Sequence, residues 1–591
     1  MKAQIINRND NLIIKVNGEE ILPAAYMSYL EKNADYEGFK KAGYSLFCAC
    51  VYMGDCTINE ISGVHPFNDR VWKSREVYDF TPVYNSVKKV VGDGTQETYI
   101  MLRVNLNAPI WWREENPDEL TKLSDGKTYM QSIFSKKWME DAKLFLEKLC
   151  AYVSSFEFSK NVIAVQVAAM QTEEWLAVRT ESGCFDYSMP AKNAYYTWLE
   201  NKGKNTFNAY LPTFEELQGR HQDSVLDIEK HRNLIDYVQF FNEGYASAIQ
   251  TLCAHVKTVT KGDLLVGVFY GYVGVPCDYG QHAISALFTD KNIDFFASPF
   301  SYINERQGAM DWFFQGVMDS CRLAGKIWFV EADVRTHKTM PLFHTHPKLM
   351  DGQRTIEYFD RPIFLGPKTE EESLWVLLRS FAKCLCAKCA FWWFDMWGGW
   401  YKTENMMAWL QRLRVWYENA MQKPIQKNSE LAVFFDEDAG KFVSEEFYYQ
   451  AVFHQLVQLG TLGASHDIYL TSDADKVKQG YKAQLYMLSK DNNRKNVLTW
   501  QGETLEKEGH FTTEEVISFL QKAGGHVFSE GNIVYANDRF VALTATRAGE
   551  VKLRMPKACK LKAFTDGKIY EGKEFAFTFA YNQTELFEVI E

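Results

Sequence analysis

Lys326 to His337 reads KIWFVEADVRTH, an apolar run of Ile327, Trp328, Phe329 and Val330 that stops abruptly at the carboxylate of Glu331. A short, continuous apolar run between polar flanks suits a strand covered on both faces, as in a parallel sheet. Its carboxyl end then delivers one acid to the rim of that sheet. Carboxylate chemistry usually works in pairs, so the stretch raises the question of where a second acid stands.

Seven further runs of the same kind surround this one, separated by polar connections and amphipathic helical stretches. In chain order the predicted strands are Leu22 to Ser28, Leu46 to Tyr52, Thr98 to Asn105, Val162 to Ala168, Leu264 to Tyr270, Ile293 to Ser298, Ile327 to Glu331 and Ala390 to Met396. Long helices are predicted over Lys137 to Tyr152 and Leu234 to Val256. Eight strand and helix units predict a (β/α)8 TIM barrel with long loops on one face. An open doubly wound sheet is the main rival, but it calls for a glycine-rich first turn that is missing here. Ahead of the barrel, residues 5–22 read as a hairpin turning at Asn17-Gly18.

The pattern changes near Lys423. LAVFFDE (Leu431 to Glu437), a helix near Phe447 to Leu459, DIYLTS, AQLYMLS, a helix near Glu514 to Ala523 and HVFSE predict a smaller flavodoxin-like α/β unit. Its first strand leads into Asp438, Ala439 and Gly440 without phosphate-loop spacing, so no cofactor is expected there. From about Asn532 apolar and polar residues alternate, as in VKLRM and FAFTFAYNQTELFEVI, which predicts a small antiparallel β domain. The expected division is 1–423, 424–531 and 532–591.

A chain of 591 residues is too long for one ordinary core, consistent with several domains. The net charge of -11 is spread along the chain with no basic stripe, which argues against a nucleic-acid partner. The opening MKAQIINRNDNLIIKV is too polar for a signal peptide, and no segment is apolar enough to span a membrane. Cysteines at irregular spacing then suit buried, reduced thiols and a cytoplasmic location. Neither CLCAKC (Cys384, Cys386, Cys389) nor the trio Cys48, Cys50 and Cys56 offers two clean ligand pairs, so no metal is expected.

In a barrel of this kind the active site forms at the carboxyl ends of the strands. The fourth strand runs into Gln171, Thr172, Glu173, Glu174 and Trp175, placing two adjacent acids just past its tip. Neighbouring side chains on an extended segment point apart, so one of the two is expected to face Glu331. A pair of acids across a barrel mouth is the arrangement that cleaves a glycosidic bond: one protonates the leaving oxygen, and the other attacks the anomeric carbon or activates water. Arg103 on the third strand is placed to hold a carboxylate ionised. Asn105 and Asn107 suit either sugar hydroxyls or a turn. In FWWFDMWGGWY, Trp393 or Trp397 suits a platform under a sugar ring, Asp395 suits hydroxyl hydrogens, and Gly398-Gly399 suits a tight turn. Burial between barrel and helices is the competing expectation for Trp392 and its neighbours.

With these residues in place the chain resembles the clan A glycoside hydrolases, and within them the family 42 β-galactosidases and their relatives. The resemblance implies a small sugar or oligosaccharide substrate, a retaining mechanism, Glu331 as nucleophile and Glu174 as acid/base. It also implies that Tyr302, in SPFSYI, corresponds to the tyrosine that touches the nucleophile, and that the second unit makes a homo-oligomer, a trimer. One departure stands out. The family places Asn immediately before the acid/base, where this chain has Glu173. The alternative assigns Glu173 itself as acid, with Thr172 in the Asn position; the pair Glu174-Trp175, which would set an aromatic wall beside the acid, favours Glu174.

Overall fold

In the computed structural model, eight parallel strands close into a barrel: β1 (Ala24–Met27), β2 (Leu46–Tyr52), β3 (Tyr99–Asn105), β4 (Val162–Ala168), β5 (Leu265–Phe269), β6 (Phe295–Pro299), β7 (Ile327–Ala332) and β8 (Ala390–Phe394). The structure describes the chain apart from residues 1, 205, 207, 208, 220–222, 304–307, 309, 352–355, 358–360, 478, 479, 490–493 and 591. Each strand pairs with its chain neighbour, and β8 closes on β1 with Trp392 opposite Ala25 and Trp393 opposite Tyr26. Every barrel strand is buried along its whole length, which is why the sequence shows continuous apolar runs.

Several strand ends shift by one or two residues from expectation, and two of them have clear local reasons. The first strand starts at Ala24, after Pro23, whose ring carries no N–H for a sheet ladder. The last stops at Phe394 because the Asp395 carboxylate gathers the backbone N–H groups of Gly399 (2.8 Å) and Trp400 (2.9 Å) and turns the chain, with Gly398 and Gly399 in the left-handed region. Outer helices Lys136–Ser155, Glu370–Ala387 and Glu404–Met421 begin at side-chain caps from Ser135, Thr369 and Thr403. The N-terminal hairpin gains a strand: Ala3–Arg8, Asn11–Val16 and Glu19–Ile21 turn at Asn9-Asp10 and at Asn17-Gly18, all four with positive φ.

The second unit carries β9 (Leu431–Phe435), β10 (His466–Leu470), β11 (Ala483–Ser489), β12 (Lys495–Trp500) and β13 (Glu503–Lys507) in the order β10-β9-β11-β12-β13. The first three are parallel and the last two join antiparallel, in the strand order of flavodoxin-like sheets. HVFSE is chain without strand pairing, buried at Val527, Phe528 and Ser529; the fourth and fifth strands come instead from the hairpin turning at Gln501-Gly502. The expected helix near Phe447 is a composite, with a π-helical turn at Tyr449–Phe453 between short α-helices.

The final sheet, β14 (Ile533–Ala536), β15 (Phe540–Thr544), β16 (Gly549–Ala563), β17 (Ile569–Phe579) and β18 (Thr584–Ile590), is wholly antiparallel. One face has its own apolar core around Leu543, Leu553 and Phe587, while Ile533, Phe540, Ala542 and Leu586 on the other join the continuous core of barrel and second unit. Among the described residues no helix is long and apolar enough to cross a membrane.

Candidate active site

Glu331 lies one residue before the end of β7, beside Trp392 in the β8 register. Its carboxylate is buried and receives Arg103 Nη2 at 2.6 Å and Trp392 Nε1 at 3.2 Å. Arg103 comes from β3, its guanidinium 4.3 Å from the centre of the Phe269 ring. Its other terminal nitrogen donates to Tyr29 Oη at 2.9 Å and lies 3.5 Å from Glu173. One guanidinium thus serves two carboxylates from different strand tips. Such charge-assisted bonds favour the ionised acid, while burial opposes it. For Glu331 burial is the larger effect, followed by the opposing pull of Arg103, and the acid is pushed up to about 6.

The second acid sits in a tight loop after β4. Met170, Thr172, Glu173 and Trp175 all have φ between 52° and 68°, although none is glycine. Left-handed backbone at non-glycine residues is costly and persists only where surroundings fix it. Here they do. Asn107 clamps Met170 from both sides, accepting its N–H at 2.8 Å and donating to its carbonyl at 3.1 Å, while Gln131 holds Asn107 in turn at 2.9 Å. Thr172 N–H reaches the Ile58 carbonyl at 2.7 Å, and Gln281 donates to the Trp175 carbonyl at 3.0 Å.

This twist sends the neighbouring acids to different places. Glu173 is fully buried, accepting from Asn105 Nδ2 and Tyr29 Oη, each at 3.1 Å; burial raises its pKa, against Arg103 and these two hydrogen bonds. Glu174 is half-buried and lines, with Glu331, a cavity of about 550 Å³ at the carboxyl ends of the strands. Burial first, and the charge of Glu331 second, push Glu174 up to about 8, against the 2.7 Å hydrogen bond from Thr172.

The remaining predicted residues divide by position. Trp397 and Tyr302 line the cavity. Tyr302 donates to Asp333, two residues beyond Glu331, and Asp333 is held by Arg335 at 2.6 Å. Trp393 does not line the cavity: it is buried on the outer side of β8, its indole N–H on Tyr44 Oη at 2.9 Å. Asp395 is also buried, both oxygens engaged by Tyr26, Gly399 and Trp400, and burial pushes it up to about 6. Trp175 is fully buried behind the loop, donating to the Val167 carbonyl at 3.0 Å and packing edge-on to Trp138; it anchors the loop and forms no wall beside Glu174. Asn107 holds the loop, and Asn105 holds Glu173.

Sequence reasoning missed Tyr29, Trp392, Asp333 and Tyr272, a buried tyrosine lining the cavity. Tyr29 and Tyr272 each stand just past a strand tip, which is the signal that finds them. Ten of the twelve cysteines are buried, and among the described residues no three His, Cys, Asp or Glu side chains gather as metal ligands would.

No family model and no curated protein matches the chain. Solved structures do match over nearly its whole length. A β-galactosidase from the psychrophilic Marinomonas ef1 superposes with TM-score 0.60 at 9% identity, covering 96% of this chain and 99% of that one. A β-galactosidase from the haloarchaeon Halorubrum lacusprofundi gives 0.58 at 11% identity, covering 96% and 99%. A GH42 β-galactosidase from G. stearothermophilus gives 0.58 at 10% identity, covering 100% and 99%. At such identities the likeness is one of fold, and the fold is that of the clan A glycoside hydrolases.

Proposed function

We propose that this protein is a retaining glycoside hydrolase that releases a terminal β-linked sugar, with β-galactosides as the first substrates to try. The observation that carries the reading is the ordered pair on one cavity: Glu331, against Arg103, is the stronger acid, and Glu174 is the weaker. A double displacement needs that order. Ionised Glu331 attacks the anomeric carbon while protonated Glu174 gives its proton to the leaving oxygen, producing a glycosyl-enzyme ester. Glu174, now ionised, takes a proton from water as its oxygen attacks the same carbon, and Glu331 departs as carboxylate. Arg103 and Trp392 hold the charge that returns to Glu331 at each release.

A panel of nitrophenyl β-glycosides tests the reading. Turnover is expected with at least one sugar, and Glu331→Gln abolishes it while leaving the thermal transition near that of the wild type. Glu174→Gln lowers kcat about 10²- to 10⁴-fold. Full activity of Glu331→Gln sinks the assignment. Glu173 supports a second reading of the substrate. A buried carboxylate in the position before the acid/base, tied to Arg103, Asn105 and Tyr29, replaces the usual amide contact to the sugar, so a mannoside, glucoside, glucuronide or arabinoside stands beside a galactoside as substrate. The same panel separates these. Sugar binding without release identifies a silent carbohydrate-binding protein instead.

A further inference from the structure

The cavity is larger than its charged centre, and its wall changes character on the side of Glu174. The acid/base must face the leaving group, because it protonates the glycosidic oxygen. The loop bearing Glu174 packs on the segment Ile58 to Ser62: Thr172 N–H reaches the Ile58 carbonyl, and Glu60 N–H donates to Gln171 Oε1 at 2.7 Å. On its other flank the same loop continues through Leu176 to Arg179, which forms ion pairs with Glu445 and, at 3.4 Å, with Asp278. Glu445 opens the composite helix of the second unit, and the π-turn of that helix sets Tyr449 and Phe453 into the cavity wall.

This wall is fixed to the barrel. Tyr448 Oη donates to the Val273 carbonyl at 2.6 Å, Ser444 N–H reaches the Ser224 carbonyl at 3.1 Å, and Leu226 N–H reaches the Phe442 carbonyl at 2.8 Å. Phe453 packs edge-on to Phe313, with ring centres 5.3 Å apart, and to Tyr449 at 5.9 Å. Gly274 makes room for this: a Cβ there would lie 3.0 Å from Phe313 and 3.7 Å from Phe453. Several polar side chains on this side are spent within the protein, with buried Gln171 Nε2 an exception. Asn59 Oδ1 accepts the backbone N–H groups of Ile61 and Ser62, and Arg179 is held by its two acids. A second sugar ring needs several hydrogen-bond partners, whereas a flat apolar ring is held by buried contact, which Ile58, Ile61, Leu176, Tyr449 and Phe453 supply here.

We propose that Ile58, Ile61, Leu176, Tyr449 and Phe453 form a leaving-group subsite for an apolar, ring-bearing aglycone, so that the substrates are aryl-type β-glycosides rather than disaccharides. The proposal rests on the glycosidase reading for the direction of the leaving group, and two of its side chains, Tyr449 and Phe453, come from the π-turn of the second unit.

The test compares methyl, phenyl and 2-naphthyl β-glycosides of one sugar with the corresponding disaccharide, phenol and naphthol being leaving groups of similar acidity. The naphthyl compound is expected to exceed the phenyl compound about tenfold in kcat/KM, through KM, and to exceed the disaccharide by more. Tyr449→Ala and Phe453→Ala each reduce the naphthyl-to-methyl ratio about tenfold, while Tyr449→Phe and Phe453→Leu, which keep the packing, reduce it less than threefold. In parallel, fluorescence titration of Glu331→Gln with the 2-naphthyl glycoside reads the subsite without turnover, and Tyr449→Ala in that background weakens binding about tenfold. If no glycoside is hydrolysed but this binding and its loss are observed, the catalytic reading fails and the subsite stands. A disaccharide preferred over the naphthyl glycoside, or naphthyl binding indifferent to Tyr449 and Phe453, overturns the subsite whatever the activity.

Discussion

At the scale of single residues the decisive feature is Arg103, shared between Glu331 and Glu173. Its charge is divided, so each carboxylate feels less of it than it would alone. With Glu331 near 6 and Glu174 near 8, kcat/KM should follow a bell in pH with limbs about those values and a maximum near neutrality. The acid limb belongs to Glu331, which must lose its proton, and the alkaline limb to Glu174, which must keep one. Glu173→Gln removes one claimant on Arg103 and a nearby negative charge. The groups facing Glu331 are then Arg103, Trp392, Asp333 and Glu174, and the net change favours ionised Glu331. The acid limb is expected to move to lower pH while the alkaline limb stays. Measurement of kcat/KM against pH in both proteins checks this; an unmoved acid limb assigns Glu173 to packing alone.

At the scale of elements the barrel was legible and the acid/base loop was not. Eight buried parallel strands write themselves as eight apolar runs, because both faces of each are covered. The same property hides their phase. FWWF offers no polar residue to mark which face looks inward, so sequence could not decide between Trp392, which touches Glu331, and Trp393, which faces Tyr44. In QTEEW no glycine announces the left-handed turns that separate Glu173 from Glu174, since tertiary hydrogen bonds impose them. Asn107 holds the first of those turns, at Met170. Asn107→Ala leaves the Met170 N–H without a partner in a buried site and removes one partner each from the Met170 carbonyl and the Gln131 amide, at a cost of about 2 to 3 kcal/mol. Chemical denaturation should show that loss. Steady-state kinetics should show kcat falling more than KM rises, because the loop that aims Glu174 relaxes while the cavity persists.

At the scale of the whole molecule, the C-terminal sheet packs Ile533, Phe540, Ala542 and Leu586 into the apolar core of the barrel and keeps a second core on its other face, with a buried polar cluster at the junction. Lys383 and Arg379, on a barrel helix, face Asp311: Lys383 Nζ lies 2.6 Å from its carboxylate and Arg379 at 3.9 Å. Tyr535 of the C-terminal sheet donates to the same carboxylate, and Asn582 accepts from Arg379 at 3.2 Å. Burial alone would raise the pKa of Asp311, but the two cations and the Lys383 and Tyr535 hydrogen bonds hold it below its ordinary value. A depressed carboxylate stabilises the fold above its unfolded pKa, near 4, and loses that contribution as pH falls through the folded value. The junction is therefore acid-sensitive. Asp311→Ala leaves two cations buried without their counter-charge, and removing one member of such a group costs about 3 to 5 kcal/mol. Because the cluster sits at the junction of barrel and sheet, beside their shared apolar contacts, the loss is expected to appear as a change in cooperativity. Calorimetry of the wild type near neutral pH is expected to give one transition, and Asp311→Ala an earlier one for the C-terminal sheet, with limited proteolysis cutting near Asn532 below it. A single transition merely shifted to lower temperature in the variant would show that the two cores are coupled by their apolar contacts instead.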